Sequence, residues 1–212
     1  MANNYIDQIK FFNPETWLYQ VHLIGAGGIN NMLGPCLAKM GIKEIHIWDD
    51  DKLEARNCPT EVAYSYNMVG QPKTTAMHDM IRYLMGNDTV KVIEHQERVT
   101  ATTELEGVVI SGVDSMASRK IIWEAIQANF IDIPLYIDGR SAGKRISIFA
   151  LSPADFDATE KYKTWLFDDS KAMPLECGAR NFPPVSLDIA AKIASIIAEF
   201  HSEGTVQFYT KN

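Results

Sequence analysis

Apolar and polar positions along this chain switch between two rhythms. The run "YQVHLI" at residues 19–24 is short and apolar, ends at "GAGG", and gives way to apolar positions at helical spacing over residues 29–40. That pattern predicts a buried strand followed by an amphipathic helix. "KEIHIW" predicts a second strand, and "PKTTAMHDMIRYLMG" a helix with Pro72 suited to its first turn. "TVKVIEH" alternates like a strand, "GVVISGV" is a short continuous apolar strand, and "SMASRKIIWEAIQANF" reads as a helix capped by Ser115. "PLYIDG" and "KRISIFAL" predict two further strands, paired as a hairpin around "RSAG". Residues 152–184, rich in Pro, Asp and aromatic residues, are the least regular and read as a crossover loop or lid. "SLDIAAKIASIIAEF" restores helical periodicity, and "GTVQFYT" reads as a short terminal strand. Met77, Met80 and Met85 at near-helical spacing read as core packing. His22 and His46, set within apolar strands, read as satisfied core histidines.

Strands alternating with helices build βαβ units. The expected fold is therefore α/β: a Rossmann-like, doubly wound, mostly parallel sheet with helices on both faces. No internal repeat or linker interrupts the 212 residues. A single domain is expected, with a nucleotide-binding core over residues 19–151 and a crossover loop and C-terminal helix over residues 152–212.

The junction after the first strand points to chemistry. Gly25, Gly27 and Gly28 permit a tight turn and let backbone N–H groups approach a phosphate at a helix N-terminus. Asp49, at the end of the second strand, lies 21 residues past Gly28, the distance at which a dinucleotide-type fold places the carboxylate that holds a ribose. Asp50 and Asp51 are left for solvent, a helix N-terminus or the approach to a metal, with solvent expected for Asp50. The loop and Asp49 alone would suit an NAD-dependent oxidoreductase. They leave unexplained Asn57, the "VGQPK" segment that delivers Lys73 to the first turn of a helix, and Asp114 in "SGVDSMASR" at the end of the fourth strand.

Charge and cysteine content narrow the classes. A net charge of −7 and a pI near 5.2 argue against general affinity for nucleic acid or an anionic membrane surface. The 46% hydrophobic content supplies a sizeable core, yet no apolar run approaches the roughly 20 residues that span a bilayer. The N-terminus lacks the pattern of a signal peptide. Cys36, Cys58 and Cys177 form no CxxC pair, so no structural zinc and no disulfide framework are expected, and a cytoplasmic setting follows.

Gly25-x-Gly27-Gly28, Asp49-x-Asp51, Asn57, the "VGQPK" lysine and the "VD…R" segment, in that order, resemble the ubiquitin-activating-enzyme superfamily and its ThiF, MoeB and HesA adenylyltransferases. The likeness covers residues 20–151 and is weaker through "LECGARNFPPVSLDIAAKIA". It implies ATP- and Mg2+-dependent activation of the C-terminal carboxylate of a ubiquitin-like or sulfur-carrier protein, or of a peptide, with release of pyrophosphate. It implies a homodimer as well. By the same resemblance Gly25, Gly27 and Gly28 meet the nucleotide through backbone, and Asp49, followed by Asp51, holds ribose. Asn57 and Lys73 contact phosphates, and Asp114 binds the metal.

The chain also departs from the family pattern N-x-x-R-Q. Thr60 stands where arginine is expected and Glu61 where glutamine is expected. A hydroxyl does not replace a multi-donor cation, and Arg56 is the candidate to supply one from beside Asn57. Residues 1–20 hold no arginine, although many relatives contribute one there. Asn30 replaces a third loop glycine, with its side chain expected to point outward. Cys177, with Arg180 three residues on, lies near a position where some relatives keep a reactive cysteine, and a buried inert thiol is the expectation here. A nucleotide- or carrier-binding protein without turnover is the alternative these departures suggest.

Overall fold

The computed structural model describes residues 5–86, 89–168, 182–206 and 208–211. Among these residues, seven strands form one sheet in the order β3-β2-β1-β4-β5-β6-β7. In chain order these are β1 (Val21–Ile24), β2 (Glu44–Trp48), β3 (Lys91–His95), β4 (Val108–Ser111), β5 (Leu135–Ala142), β6 (Arg145–Leu151) and β7 (Tyr209–Lys211). The first five run parallel, while β6 and β7 pair antiparallel. The expected hairpin is present: Ala142 pairs with Arg145, so the turn is Gly143-Lys144, with Gly143 at φ 62°.

Among the described residues, five α-helices cover the sheet: α1 (Asn30–Met40), α2 (Lys73–Met85), α3 (Met116–Ala128), α4 (Phe156–Lys163) and α5 (Pro183–Glu203). The two faces follow from the period-two alternation of the strands. Val21, Leu23, Ile45, Ile47 and Ile110 pack with Leu33 and Leu37 of α1, Met77 of α2 and Ile193 of α5. Ile24, Trp48, Val109, Tyr136 and Phe149 turn the other way, toward Ile122 and Trp123 of α3 and Tyr162 of α4. Ser115 caps α3 as expected, its Oγ accepting from Ser118 N at 3.1 Å. The region expected to be least regular contains α4, started by Asp155, whose carboxylate accepts from Ala158 N at 3.0 Å. Among the described residues, no helix is long and apolar enough to cross a membrane.

Parallel β1, β2 and β4 are neighbours, so their carboxyl ends, and the loops that carry Gly25, Asp49 and Asp114, lie along one edge. Strand order reverses at β1, with α1 and α3 on opposite faces, which opens a crevice between the loops after β1 and β4. His22 and His46 lie within β1 and β2 rather than at their carboxyl ends. His22 is buried, stacks on His46, and accepts from Trp48 Nε1 at 3.0 Å; burial pushes it down to about 3, so it stays neutral. His46 is half-buried and engages Glu44 and His95, each at 3.1 Å.

A buried charge cluster joins β4, β5, α3 and α4. Asp138 is 0% exposed and receives Arg119 Nε at 3.1 Å, Arg140 Nε at 2.7 Å, Tyr162 OH at 2.9 Å and Ser111 Oγ at 3.0 Å. Burial opposes its charge, but the two guanidiniums outweigh it and hold the carboxyl below the ordinary range. Removing the acid alone strands two buried cations. Asp138→Ala is therefore expected to cost about 3–5 kcal/mol of stability. The urea midpoint of the variant against the wild type checks this, with an unchanged midpoint as the contrary result.

Candidate nucleotide site

The glycine loop is shaped by side chains from beneath. Gly25 has φ +87° and lies so near the β4 loop that a Cβ would stand 3.2 Å from Gly112 O, so a side chain here is both strained and crowded. Asn30 does not point outward as expected. It is fully buried, and its amide donates to Ile24 O at 3.1 Å and to Gly25 O at 2.8 Å. The carbonyls of a tight turn need donors that the turn cannot supply, and an inward amide provides them. Asn31, also buried, donates to Gly27 O and Gly28 O, both at 2.8 Å, and accepts from Ala63 N at 3.0 Å. With those carbonyls held inward, the N–H groups of Gly27, Gly28 and Ile29 have no protein partner among the described residues. Three such donors at the start of α1 make a cradle for an anion.

The acids at the end of β2 divide their work. Asp49 is half-buried and clamps the loop, accepting from Ala26 N at 2.7 Å and Asp51 N at 2.8 Å. Burial pushes its carboxyl up, against those two N–H groups. Asp50 is exposed and, rather than standing free in water, is held by Arg98 Nε at 2.8 and 2.9 Å. Asp51 faces α2. Its carbonyl accepts from Lys73 N at 3.0 Å and its carboxylate lies 3.4 Å from Lys73 Nζ. The docking is fixed by Leu53, whose N–H reaches Gln71 O and whose carbonyl receives Gly70 N, both at 2.8 Å.

Lys73 is 8% exposed and also lies 3.8 Å from Glu61 Oε1. Burial would lower its ammonium, but Glu61, Asp49 and Asp51 together outweigh burial and raise it. Glu61 is 4% exposed; Asn57 Nδ2 donates to its Oε1 at 3.1 Å, while Oε2 is buried without a partner. Burial dominates at Glu61 because Lys73 shares its charge with Asp49 and Asp51, and the carboxyl is pushed from 4.5 up to about 7. Tyr64 OH donates to Ala26 O at 2.7 Å and closes the same assembly.

The structure thus brings together Gly25, Gly27, Gly28, Asp49, Asp51, Asn57 and Lys73, with Asp114 exposed at the β4 end of the same edge. Arg56 is not brought in: its exposed guanidinium pairs with Glu54 at 2.8 Å. Thr60 turns back on Asn57 O at 3.1 Å. Arg119 of the "VD…R" segment is buried, and one end of its guanidinium holds the Val113 carbonyl, positioning the loop before Asp114. Cys177 and Arg180 lie outside the described residues. Asn31, Tyr64 and Asp138 build the site without belonging to any motif in the sequence. The consecutive asparagines after the glycines were the one local signal, whereas Tyr64 and Asp138 meet their partners only through long-range packing.

A mostly parallel sheet with such a loop and strand-end acids at its carboxyl edge defines a Rossmann-like class of fold. The chain belongs to the ThiF family, whose model matches residues 18–194. It is 29% identical over 105 residues to adenylyltransferase and sulfurtransferase MOCS3-2 of Zea mays, covering 47% of this chain and 21% of that protein. It is 27% identical over 119 residues to SAMP-activating enzyme E1 of Haloferax volcanii, covering 55% and 43% respectively. The match thus spans about a fifth of the maize protein and under half of the archaeal one. Among solved structures, E. coli MccB with succinimide aligns at TM-score 0.72 and 18% identity, over 100% of this chain and 71% of that one. E. coli MccB with ATP aligns at TM-score 0.68 and 19% identity, over 100% and 67%. These likenesses establish the shared fold.

Glu61 makes stability depend on pH in a defined direction. Its folded-state carboxyl titrates above its ordinary value, so the stabilisation is complete below about 4.5 and lost as pH rises through about 7. Glu61→Gln, which keeps the shape and cannot ionise, is expected to exceed the wild type by about 1–3 kcal/mol at pH 8 and to match it near pH 5. Denaturation curves at the two pH values decide it, and an equal gain at both would assign the effect to something other than ionisation.

Proposed function

We propose that this chain binds ATP with Mg2+ at the carboxyl edge of the sheet and adenylates the C-terminal carboxylate of a ubiquitin-like or sulfur-carrier protein, or of a peptide, releasing pyrophosphate. The observation that carries the reading is the unpartnered N–H row of Gly27, Gly28 and Ile29 on the same edge as Lys73 and Asp114. The chain's similarity to an adenylyltransferase and sulfurtransferase and to a SAMP-activating enzyme supports it, as does a neighbour of the same fold solved with ATP. A neighbour solved with N-formylated MccA supports a partner approaching this fold.

The chemistry asks little proton transfer of the protein. A carboxylate is already ionised near neutral pH and attacks the α-phosphorus directly, so alignment and charge stabilisation are the protein's tasks. In this reading the loop N–H groups hold phosphate oxygens, Lys73 answers the charge that builds on them, and Asp49 and Asp51 take the ribose side. Asn57, whose amide is tied to Glu61, sets the edge of the phosphate site. Mg2+ suits the oxygen donors at hand: Asp114 is exposed at the β4 end and would hold it, and its charge would offset the phosphates. A homodimer and a cytoplasmic setting belong to the same proposal.

A binder without turnover is the second reading, favoured by the pairing of Arg56 with Glu54 and by Thr60 at the arginine position. ATP–pyrophosphate exchange with candidate carriers separates the two. Lys73→Ala and Asp114→Ala are expected to lower exchange by about 10²–10³-fold, the usual loss for one such electrostatic contact. Thr60→Arg is expected to raise ATP affinity or exchange. Tight ATP binding with no exchange by the wild type, and no effect of Lys73→Ala, would replace the enzyme by the binder.

A further inference from the structure

Glu61 lies against the glycine loop. Its Oε1 is 4.0 Å from the position a Cβ on Gly27 would take, and its Oε2 is buried with no hydrogen-bond partner. The groups acting on it come from the neighbouring segments: Asn57 from its own turn, Asp49 and Asp51 from the end of β2, and Lys73 from α2, while the buried Tyr64, three residues on, feels its charge in turn. Lys73 is the cation of this group, and it already faces Asp51 and Glu61 at 3.4 and 3.8 Å. A nucleoside triphosphate entering the loop adds several negative charges beside these acids. An ionised Glu61 then offers only acceptors to phosphate oxygens that also only accept.

Resting on the nucleotide reading above, we propose that Glu61 is a proton-coupled ligand of the nucleotide. The carboxylate takes one proton from solvent as the triphosphate binds, and the neutral acid donates its O–H toward a phosphate oxygen beside Gly27. Oε1 keeps the amide of Asn57, and Lys73, relieved of one negative neighbour, turns its charge to the phosphates. The neutral carboxyl reproduces the shape of the glutamine in the family pattern, with a hydroxyl donor in place of the amide. The cost of the proton is small near neutral pH, because burial already holds this carboxyl up at about 7. Above that value, affinity falls about tenfold per pH unit, since each unit removes a further tenfold of the neutral form.

Calorimetric titration with MgATP tests this from pH 6 to 9, in buffers of differing protonation enthalpy, on the wild type and Glu61→Gln. The isosteric variant serves as the reference for protons carried by the nucleotide itself. The wild type should take up close to one proton more than Glu61→Gln at pH 8 and above. Glu61→Gln should bind about tenfold tighter than the wild type at pH 8 and equally at pH 6. Equal proton counts, or a wild-type affinity as flat with pH as that of the variant, would overturn the proposal and leave nucleotide binding standing. Failure of both proteins to bind MgATP at every pH would overturn the nucleotide reading and this proposal together.

Discussion

The ammonium of Lys73, enclosed beside Asp51 and Glu61, is the interaction on which the architecture of this site depends. It fastens the end of β2, the turn that carries Asn57 and Glu61, and the first turn of α2 at one point. A buried ammonium needs acids, and the buried Glu61 needs the ammonium, because neither tolerates loss of water alone, whereas Asp51 stays exposed. The loop between β2 and α2 has little regular structure, and its shape is set by this charge exchange together with the backbone pairing of Leu53 to Gln71 and Gly70.

The balance around Lys73 is unequal, and the inequality has chemical meaning. Burial costs Glu61 more than the shared ammonium returns, so its carboxyl is poised near neutrality, whereas Asp138 is overcompensated by two guanidiniums and stays ionised. The first arrangement can change state when a charged ligand arrives. The second is a fixed brace: it holds Val113 through Arg119 and anchors Arg140 between Asp138 and Trp165. A poised acid and a rigid brace thus stand behind two parts of one edge, the glycine loop and the loop that ends at Asp114.

Departures from the family pattern take on physical content in the same way. Asn30 in place of a glycine is an inward brace for the carbonyls of the loop. Thr60 in place of arginine closes its own turn onto Asn57. Arg56, adjacent in sequence to Asn57, is spent on Glu54 at the surface. Proximity in sequence did not bring that cation to the site, because the turn directs successive side chains to different sides.

The sequence by itself determined the order and type of the elements. Period-two and helical apolar spacing, glycine turns and the Ser115 cap are local signals, and the parallel sheet, the hairpin and the strand-end positions of Gly25, Asp49 and Asp114 follow from them. The α4 segment escaped because its helix is short and strongly polar, with little apolar period to read. Tertiary structure alone decided which charges meet: Lys73 with Glu61, Asp50 with Arg98, Asp138 with Arg119 and Arg140. Those partners are 12, 48, 19 and 2 residues apart, and the strength of each pairing depends on burial, which no local pattern of polarity encodes.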